Sequence, residues 1–408
     1  MNNYLDKYLP IVEDAYSSFK KGFYSEITNQ FYDYRTSDDI NQTLRDLPSL
    51  EEVKRQWPNF VGWGTGMEDN NITESYMLIS AMEEYRLNHN KESLDDIHNF
   101  AKGLLLNAEV SSQTGFLVRN VHPEDCKTHY INSSRDQYTY WIYAMSRYLD
   151  SEFSNEDEKK RIRKALVNFA IKAEKDVIPE NDYCLTKEDG TPAVASSMLR
   201  DTLPAEALRL CMIYIAAYYA SDNNKWLDLY RKYRKESLSL SETIDVSVFA
   251  GQIIAPMQMM VSMRYIFELE EDESYKKRYL SLMKKVSNGI MEHVNNAYHK
   301  IDSFNEYNKS IHYLKPFREN ECVNVGRLWE YGYDLYVYYV VNSTYHGLEV
   351  APRVIAEGLM IQALCPERDI PKEQLDIFLY TLKTIKLNDA AFYYPSYYIA
   401  CYWILRNK

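Results

Sequence analysis

Residues Ser133–Tyr148 read SSRDQYTYWIYAMSRY and join a long polar loop to a helix dense in aromatics. Ser134 followed three residues later by Gln137 has capping-box spacing: the serine side chain serves the third helical N–H and the longer side chain reaches back. The spacing predicts a helix start at Ser134. Arg135 and Asp136 then stand in the first turn, with Tyr138 and Trp141 just behind them. An acid in a first turn is ordinarily explained by the helix dipole, worth a few tenths to about 1 kcal/mol. Here it has unusual company. Arg135 is adjacent, Tyr140 follows, and the preceding loop brings His122 and His129. Burial against aromatics is also what raises a carboxyl pKa toward the working range of a general acid.

Outward from this stretch, one rhythm fills the chain. Helical spacing is read over residues 4–30, 71–88, 93–107, 134–150, 156–176, 204–220, 224–235, 244–268 (kinked at Pro256), 273–297, 327–342, 351–364, 372–386 and 393–406. Asn71 with Glu74 is read as the cap of the second helix. Helices come in pairs joined by short turns, and long polar loops at 115–133, 178–202 and 301–325 join the pairs. The helix after a long loop is apolar nearly all round, as in Leu208–Ala220, and its partner is amphipathic, as in Glu156–Lys175. A helix apolar all round is buried on both sides, whereas a one-faced helix lies outside. About six such hairpins in one domain over 1–408 predict an all-α fold, an (α/α)6 toroid. An open solenoid of stacked pairs would instead show short loops on both edges and a stronger repeat.

Composition narrows the function. The 408 residues are 46% hydrophobic and 26% charged, with only 13 Gly and 13 Pro, which suits a folded helical protein. Net charge is -12, and no basic stripe interleaved with aromatics occurs, so nucleic acid is not an expected partner. The start MNNYLDKYLPIVEDAY lacks a signal-peptide pattern, and the longest apolar run, Leu210–Ala220, is too short for a bilayer. Six scattered cysteines without CxxC spacing fit reduced thiols in a cytoplasmic protein. No metal or cofactor motif is present: HExxH, P-loop, GxGxxG and GxSxG are all missing. The 37 tyrosines mainly suit helix contacts, and some suit stacking on a carbohydrate.

In a toroid the long loops share one face, where helix N-termini surround a depression. The acids placed there are Glu68, Asp69, Asp136, Asp201 and Glu206, with Glu330 and Asp334 behind them. Glu68 and Asp69 follow WGTGM, where glycines allow close backbone approach to a ligand and Trp63 offers a stacking platform. Arg200–Asp201 mirrors Arg135–Asp136, with Asp201 also readable as an N-cap. Two carboxylates facing across the cleft can act as acid and base on an acetal. The candidate catalytic residues are Asp136, Asp69 and Glu68. The candidate substrate-binding residues are Arg135, Tyr138, Trp141, His122, His129, Trp63, Arg200 and Asp201, with Tyr393, Tyr394 and Tyr397 from YYPSYYIACYW also near the cleft.

With these positions in hand, the chain resembles the six-hairpin glycosidase superfamily over nearly its whole length. Within that superfamily it is distantly similar to the unsaturated glucuronyl and rhamnogalacturonyl hydrolases. The resemblance implies an intracellular enzyme on oligosaccharides, uronic-acid-containing ones included, with Asp136 matching the family's catalytic aspartate and Asp69 its partner one hairpin earlier. The sequence departs where those families carry a Trp/Arg/Gly-rich motif; it reads SSMLRDTLPAE there. A glycoside hydrolase is therefore expected. The alternatives are a lyase or epimerase using a His/Tyr pair, and a non-catalytic helical scaffold that binds a glycan or a protein.

Overall fold

Apolar residues three and four apart become helix along nearly the whole chain. The computed structural model describes residues 2–57, 59–62, 64–191, 193, 199–200, 202–249, 253–308 and 344–408. The main helices are α1 (Leu9–Phe23), α2 (Asn70–Asn88), α3 (Lys91–Glu109), α4 (Arg135–Leu149), α5 (Glu156–Asp176), α6 (Arg209–Ser221) and α7 (Asn224–Ser241). They continue as α8 (Ile254–Leu269), α9 (Glu273–Gly289), α10 (Met291–Tyr298), α11 (Ile301–Asn308), α12 (Thr344–Leu364), α13 (Lys372–Thr384) and α14 (Tyr394–Arg406). Strand among the described residues is one antiparallel ribbon, β1 (Tyr24–Ser25) with β2 (Gln30–Phe31), and a single bridge between Tyr34 and Phe392. The fold is all-α.

Several boundaries differ from the sequence reading, each for a local reason. The first helix ends at Phe23, where the β1–β2 ribbon turns back through Asn29 in the left-handed region. The helix expected from Pro204 begins only at Arg209, after a run of turns. Pro256 makes no kink: α8 starts at Ile254, so its proline stands in the first turn, where the missing N–H has no helical acceptor to lose. The 273–297 span breaks at Gly289, which packs tightly against Val246. Ile301–Asn308 is helical where loop was expected, and the expected helix at 327–342 lies outside the described residues. The Asn71–Glu74 cap does not form. Both Asn70 Oδ1 and Glu74 Oε2 accept the Phe31 N–H, at 3.1 and 3.0 Å, and so tie β2 to the start of α2.

Burial separates two kinds of helix, as the patterning requires. Helices α2, α4, α6 and α14 are buried almost all round, whereas α5, α7 and α9 bury one stripe. The buried helices touch in succession: α2 on α4, α4 on α6, α6 on α8, α8 on α12, α12 on α14, and α14 on α2. The amphipathic helices α3, α5, α7, α9 and α13 lie against them. The two ends of the chain meet: α1 packs on α14, the Arg35 N–H donates to Ala391 O at 3.0 Å, and the Tyr34 and Phe392 rings stack at 5.1 Å.

Gly103 on α3 shows how closely the ribbon sits. A Cβ there would lie 2.0 Å from the backbone oxygen of Asn29. Gly103→Ala is expected to lower the thermal midpoint, with the clash of about 1–3 kcal/mol outweighing the gain of about 1 kcal/mol in helix propensity. A midpoint equal to or above the wild type would show that the ribbon is free to move away.

Candidate active site

The starts of α2, α4, α6 and α14, or the loops that feed them, come to one region together with Gln258 of α8 and Arg353 of α12, and two charge clusters form there. The first is balanced. Arg209, the opening residue of α6, is 2% exposed. Its Nη1 donates to Asp136 Oδ1 at 2.7 Å, and its Nη2 pairs with Glu206 Oε2 at 2.7 Å. Arg135 reaches the same Glu206 through Nε at 2.6 Å and Nη2 at 3.1 Å. Among the described residues, two guanidiniums thus face two carboxylates, the condition under which buried charge is tolerated. Burial alone would raise the Asp136 carboxyl, but Arg209 and Arg135 outweigh it and hold the group below the usual aspartate value. The Gln258 amide on α8 faces the same carboxylate closely enough to favour the anion, although its buried Nε2 falls short of hydrogen-bond geometry. This corrects the expectation of a raised Asp136. Its aromatic neighbours are real, but the arginines decide its charge.

The second cluster is rich in acid. Asp33, fully buried in the segment after β2, accepts the backbone N–H of Glu68 at 2.5 Å and of Asp69 at 3.0 Å. It therefore serves the free N–H groups ahead of α2, a task no sequence signal gave it. Glu68 accepts the Tyr34 hydroxyl at 2.5 Å and the Gly64 N–H. Asp69 Oδ1 accepts Gln137 Nε2 at 2.8 Å and Arg119 Nη1 at 3.3 Å, while Arg119 Nη1 also holds the Glu68 carbonyl at 2.8 Å. Among the described residues, three carboxyls share one hydrogen-bonded guanidinium, with Arg353 opposing the rise of Asp69 from further away, so the surplus of acid pushes these carboxyls up. Burial and the neighbouring acids raise Asp33 strongly, and burial with Asp69 lifts Glu68 to about 7. Asp69 is raised by burial, with Arg119 opposing and the Asp136 charge adding to the rise. Asp69 and Asp136 thus sense one another while their environments push them in opposite directions.

The other expected residues are placed as follows. Tyr138 and Trp141 are core: the Tyr138 hydroxyl bridges Gly115 O and the Leu117 N–H, both at 3.0 Å, and Trp141 Nε1 donates to Leu104 O at 2.8 Å. His122 pins its loop through Nε2 on Pro48 O at 2.8 Å, and His129 pairs with Glu188 at 2.9 Å. Arg135 is committed to Glu206, and Arg200 pairs with Glu236 on the surface under the Tyr183 and Tyr233 rings. None of these six presents itself to a ligand as expected. Each is drawn off by a protein partner that spacing could not show. Trp63, Asp201, Glu330 and Asp334 lie outside the described residues. Of the two glycines in WGTGM, Gly64 gives its N–H to the Glu68 carboxylate and Gly66 lies against the Leu47, Tyr34 and Thr36 side chains.

The sequence reading missed Asp33, Arg119, Arg209, Gln258, Arg353 and Glu357. A signal was available for four of them, which are polar residues inside the apolar runs of α6, α8 and α12. Arg353 Nε bonds Glu357 at 3.0 Å, its Nη1 donates to the Tyr393 hydroxyl at 3.0 Å, and its guanidinium lies 5.3 Å from the Tyr397 ring centre. The Tyr76 hydroxyl donates to that of Tyr140 at 2.9 Å, and its ring meets that of Tyr397 at 4.9 Å. Tyr393 and Tyr397 therefore join this region, whereas Tyr394 turns into the core against Phe304. No group of three metal-ligating side chains suited to an ion occurs among the described residues.

The raised Glu68 makes a measurable claim about stability. A carboxyl raised from 4.5 to about 7 on folding stabilises fully below 4.5, and that contribution is lost as pH rises through 7. Across this window the wild type should lose up to about 3 kcal/mol that Glu68→Gln does not lose. Glu84, also raised to about 7, contributes equally to both proteins. Parallel unfolding curves for the two proteins from pH 5 to pH 8 would contradict the assignment. No family model, no curated protein and no solved structure matches this chain.

Proposed function

We propose that the succession of buried helices forms an (α/α)6 toroid and that the chain is a glycoside hydrolase acting on oligosaccharides. The observation that carries this reading is the pairing of Asp69 with Asp136 on adjacent helix starts, one in an acid-rich cluster that favours its protonated form and one clamped as an anion. Glycosidic bonds are broken by such a pair: a carboxylic acid protonates the leaving oxygen, and a carboxylate activates water or attacks the anomeric carbon. The roles are the reverse of those expected from sequence. Asp69 is the general acid and Asp136 the base or nucleophile. Arg353 with Tyr393, Tyr397, Tyr76 and Tyr140 supplies the hydroxyl and guanidinium lining that sugar hydroxyls require.

A cytoplasmic setting belongs to the same proposal. Cys126, Cys211, Cys365 and Cys401 are free thiols, and no described helix is long and apolar enough to cross a membrane. The lyase or epimerase alternative calls for a His/Tyr pair, and both His122 and His129 are engaged by protein partners.

The test is a panel of saturated and unsaturated oligosaccharides with products weighed. Hydrolysis adds one water, a lyase creates an absorbing double bond, an epimerase conserves mass, and a scaffold gives no product. Asp69→Asn and Asp136→Asn should each lower turnover by about 10²–10⁴-fold, the usual range for acid–base catalysis. Stability should separate them. Asp136→Asn leaves the Arg209 charge short of a partner and should lower the thermal midpoint, whereas Asp69→Asn relieves an acid-rich cluster and should not. Activity should fall on the alkaline side as Asp69 ionises and on the acid side only as Asp136 is protonated. Full turnover in Asp69→Asn would end the proposal.

A further inference from the structure

Four fully buried amide side chains from four different elements run in a line to Asp69. Gln30 Nε2 donates to Asn107 Oδ1 at 2.7 Å, Asn107 Nδ2 to Asn71 Oδ1 at 3.0 Å, Asn71 Nδ2 to Gln137 Oε1 at 2.9 Å, and Gln137 Nε2 to Asp69 Oδ1 at 2.8 Å. An amide in isolation can be turned end for end without loss, but here backbone groups of invariant sense fix three of the four, and the fixed Asn71 Nδ2, donating to Gln137 Oε1, fixes the last. Gln30 Oε1 accepts the Val121 N–H at 3.1 Å. Its other end must therefore donate, and does so to Gly103 O as well, at 3.2 Å. Asn107 Nδ2 also donates to Arg119 O at 3.3 Å, and Asn71 Nδ2 to Val118 O at 2.8 Å. Every link points the same way, and the line ends on one oxygen.

We infer that this buried amide line is a positioning element that fixes Asp69 Oδ1 as an acceptor and leaves Oδ2 as the atom that carries the acid's proton and gives it up. Three facts support this. Both donors to Oδ1 depend on the line: Gln137 is its last member, and Arg119 sits on the 118–121 segment that Asn71, Asn107 and Gln30 hold by its backbone. Oδ2 receives no hydrogen bond from the described residues. A proton on Oδ1 would place O–H against the Gln137 N–H, two donors facing each other, which the fixed orientation of Gln137 forbids. The element reaches from the outer helix α3 and the β2 ribbon to the cleft, so Gln30 and Asn107 influence the site without facing it. They are positioning residues and touch no substrate.

The inference rests on the acid–base reading of Asp69, but its test does not need turnover. With aspartate labelled at the carboxyl carbon, Asp69 is assigned by loss of its signal in Asp69→Asn and titrated by NMR. Gln137→Met removes the direct donor and should move the Asp69 midpoint up by about one pH unit, since hydrogen bonds to the anion lower a carboxyl pKa. Asn107→Leu should move it in the same direction by less, and Gln30→Met by least. Gln374→Met is the control. It breaks a comparable buried amide pair, Gln362 Nε2 to Gln374 Oε1 at 3.2 Å, that does not end on an acid, and it should leave Asp69 unmoved. An Asp69 midpoint unchanged in both Gln137→Met and Asn107→Leu, or shifted equally in the control, overturns the inference. Retained turnover in Asp69→Asn would instead remove the hydrolase reading and leave the positioning result intact.

Discussion

A guanidinium taken out of water must be met by carboxylates, and Arg209 is where this constraint bears hardest. Its two contacts, to Asp136 and Glu206, join the start of α4 to the start of α6, and Arg135 completes the balance from the other side. The cost of stranding any one of these charges, several kcal/mol in a buried setting, keeps the helix starts in register with one another. It also decides chemistry. The arginines that secure the packing are those that hold Asp136 ionised, so the site's electrostatics follow from the way the helices are joined.

The neighbouring cluster obeys the opposite balance. Asp33 is spent on the free N–H groups ahead of α2, Glu68 on the Tyr34 hydroxyl, and among the described residues Arg119 is the guanidinium hydrogen-bonded to this acid cluster, with Arg353 acting on Asp69 from further away. Among the described residues, structural demand thus places a surplus of carboxyls beside a balanced set, and the two aspartates facing the boundary are pushed in opposite directions. No bound ligand is needed to create that difference.

The helices and their pairing were legible because burial imposes a period. Runs such as Leu208–Ala220 are apolar on every side and become buried, and Glu156–Lys175 keeps one stripe and stays outside. Boundaries were less legible where a tertiary contact competed with a local signal. Glu74 and Asn70 are drawn to the Phe31 N–H in place of a cap, and Ser134, read as a capping residue, begins α4 without making the side-chain bond. Gln137, its supposed partner, is taken by Asn71 and Asp69. The spacing located the helix start correctly, although the side chains serve another purpose.

An all-α chain of paired helices was readable from the residues alone, and so were the starts of α2 and α4, where Asp69 and Asp136 lie. Local spacing and hydrophobic period are enough for that, because both are properties of neighbouring residues. The opposite directions in which the two aspartates are pushed, Asp69 toward its protonated form and Asp136 away from it, come from contacts that only the folded chain makes. Arg209, Arg119 and Asp33 are 73, 50 and 36 residues away from the aspartates they act upon. A charge felt across such distances in sequence exists only once the chain has brought the groups within a few ångströms, where partial burial weakens the screening by water.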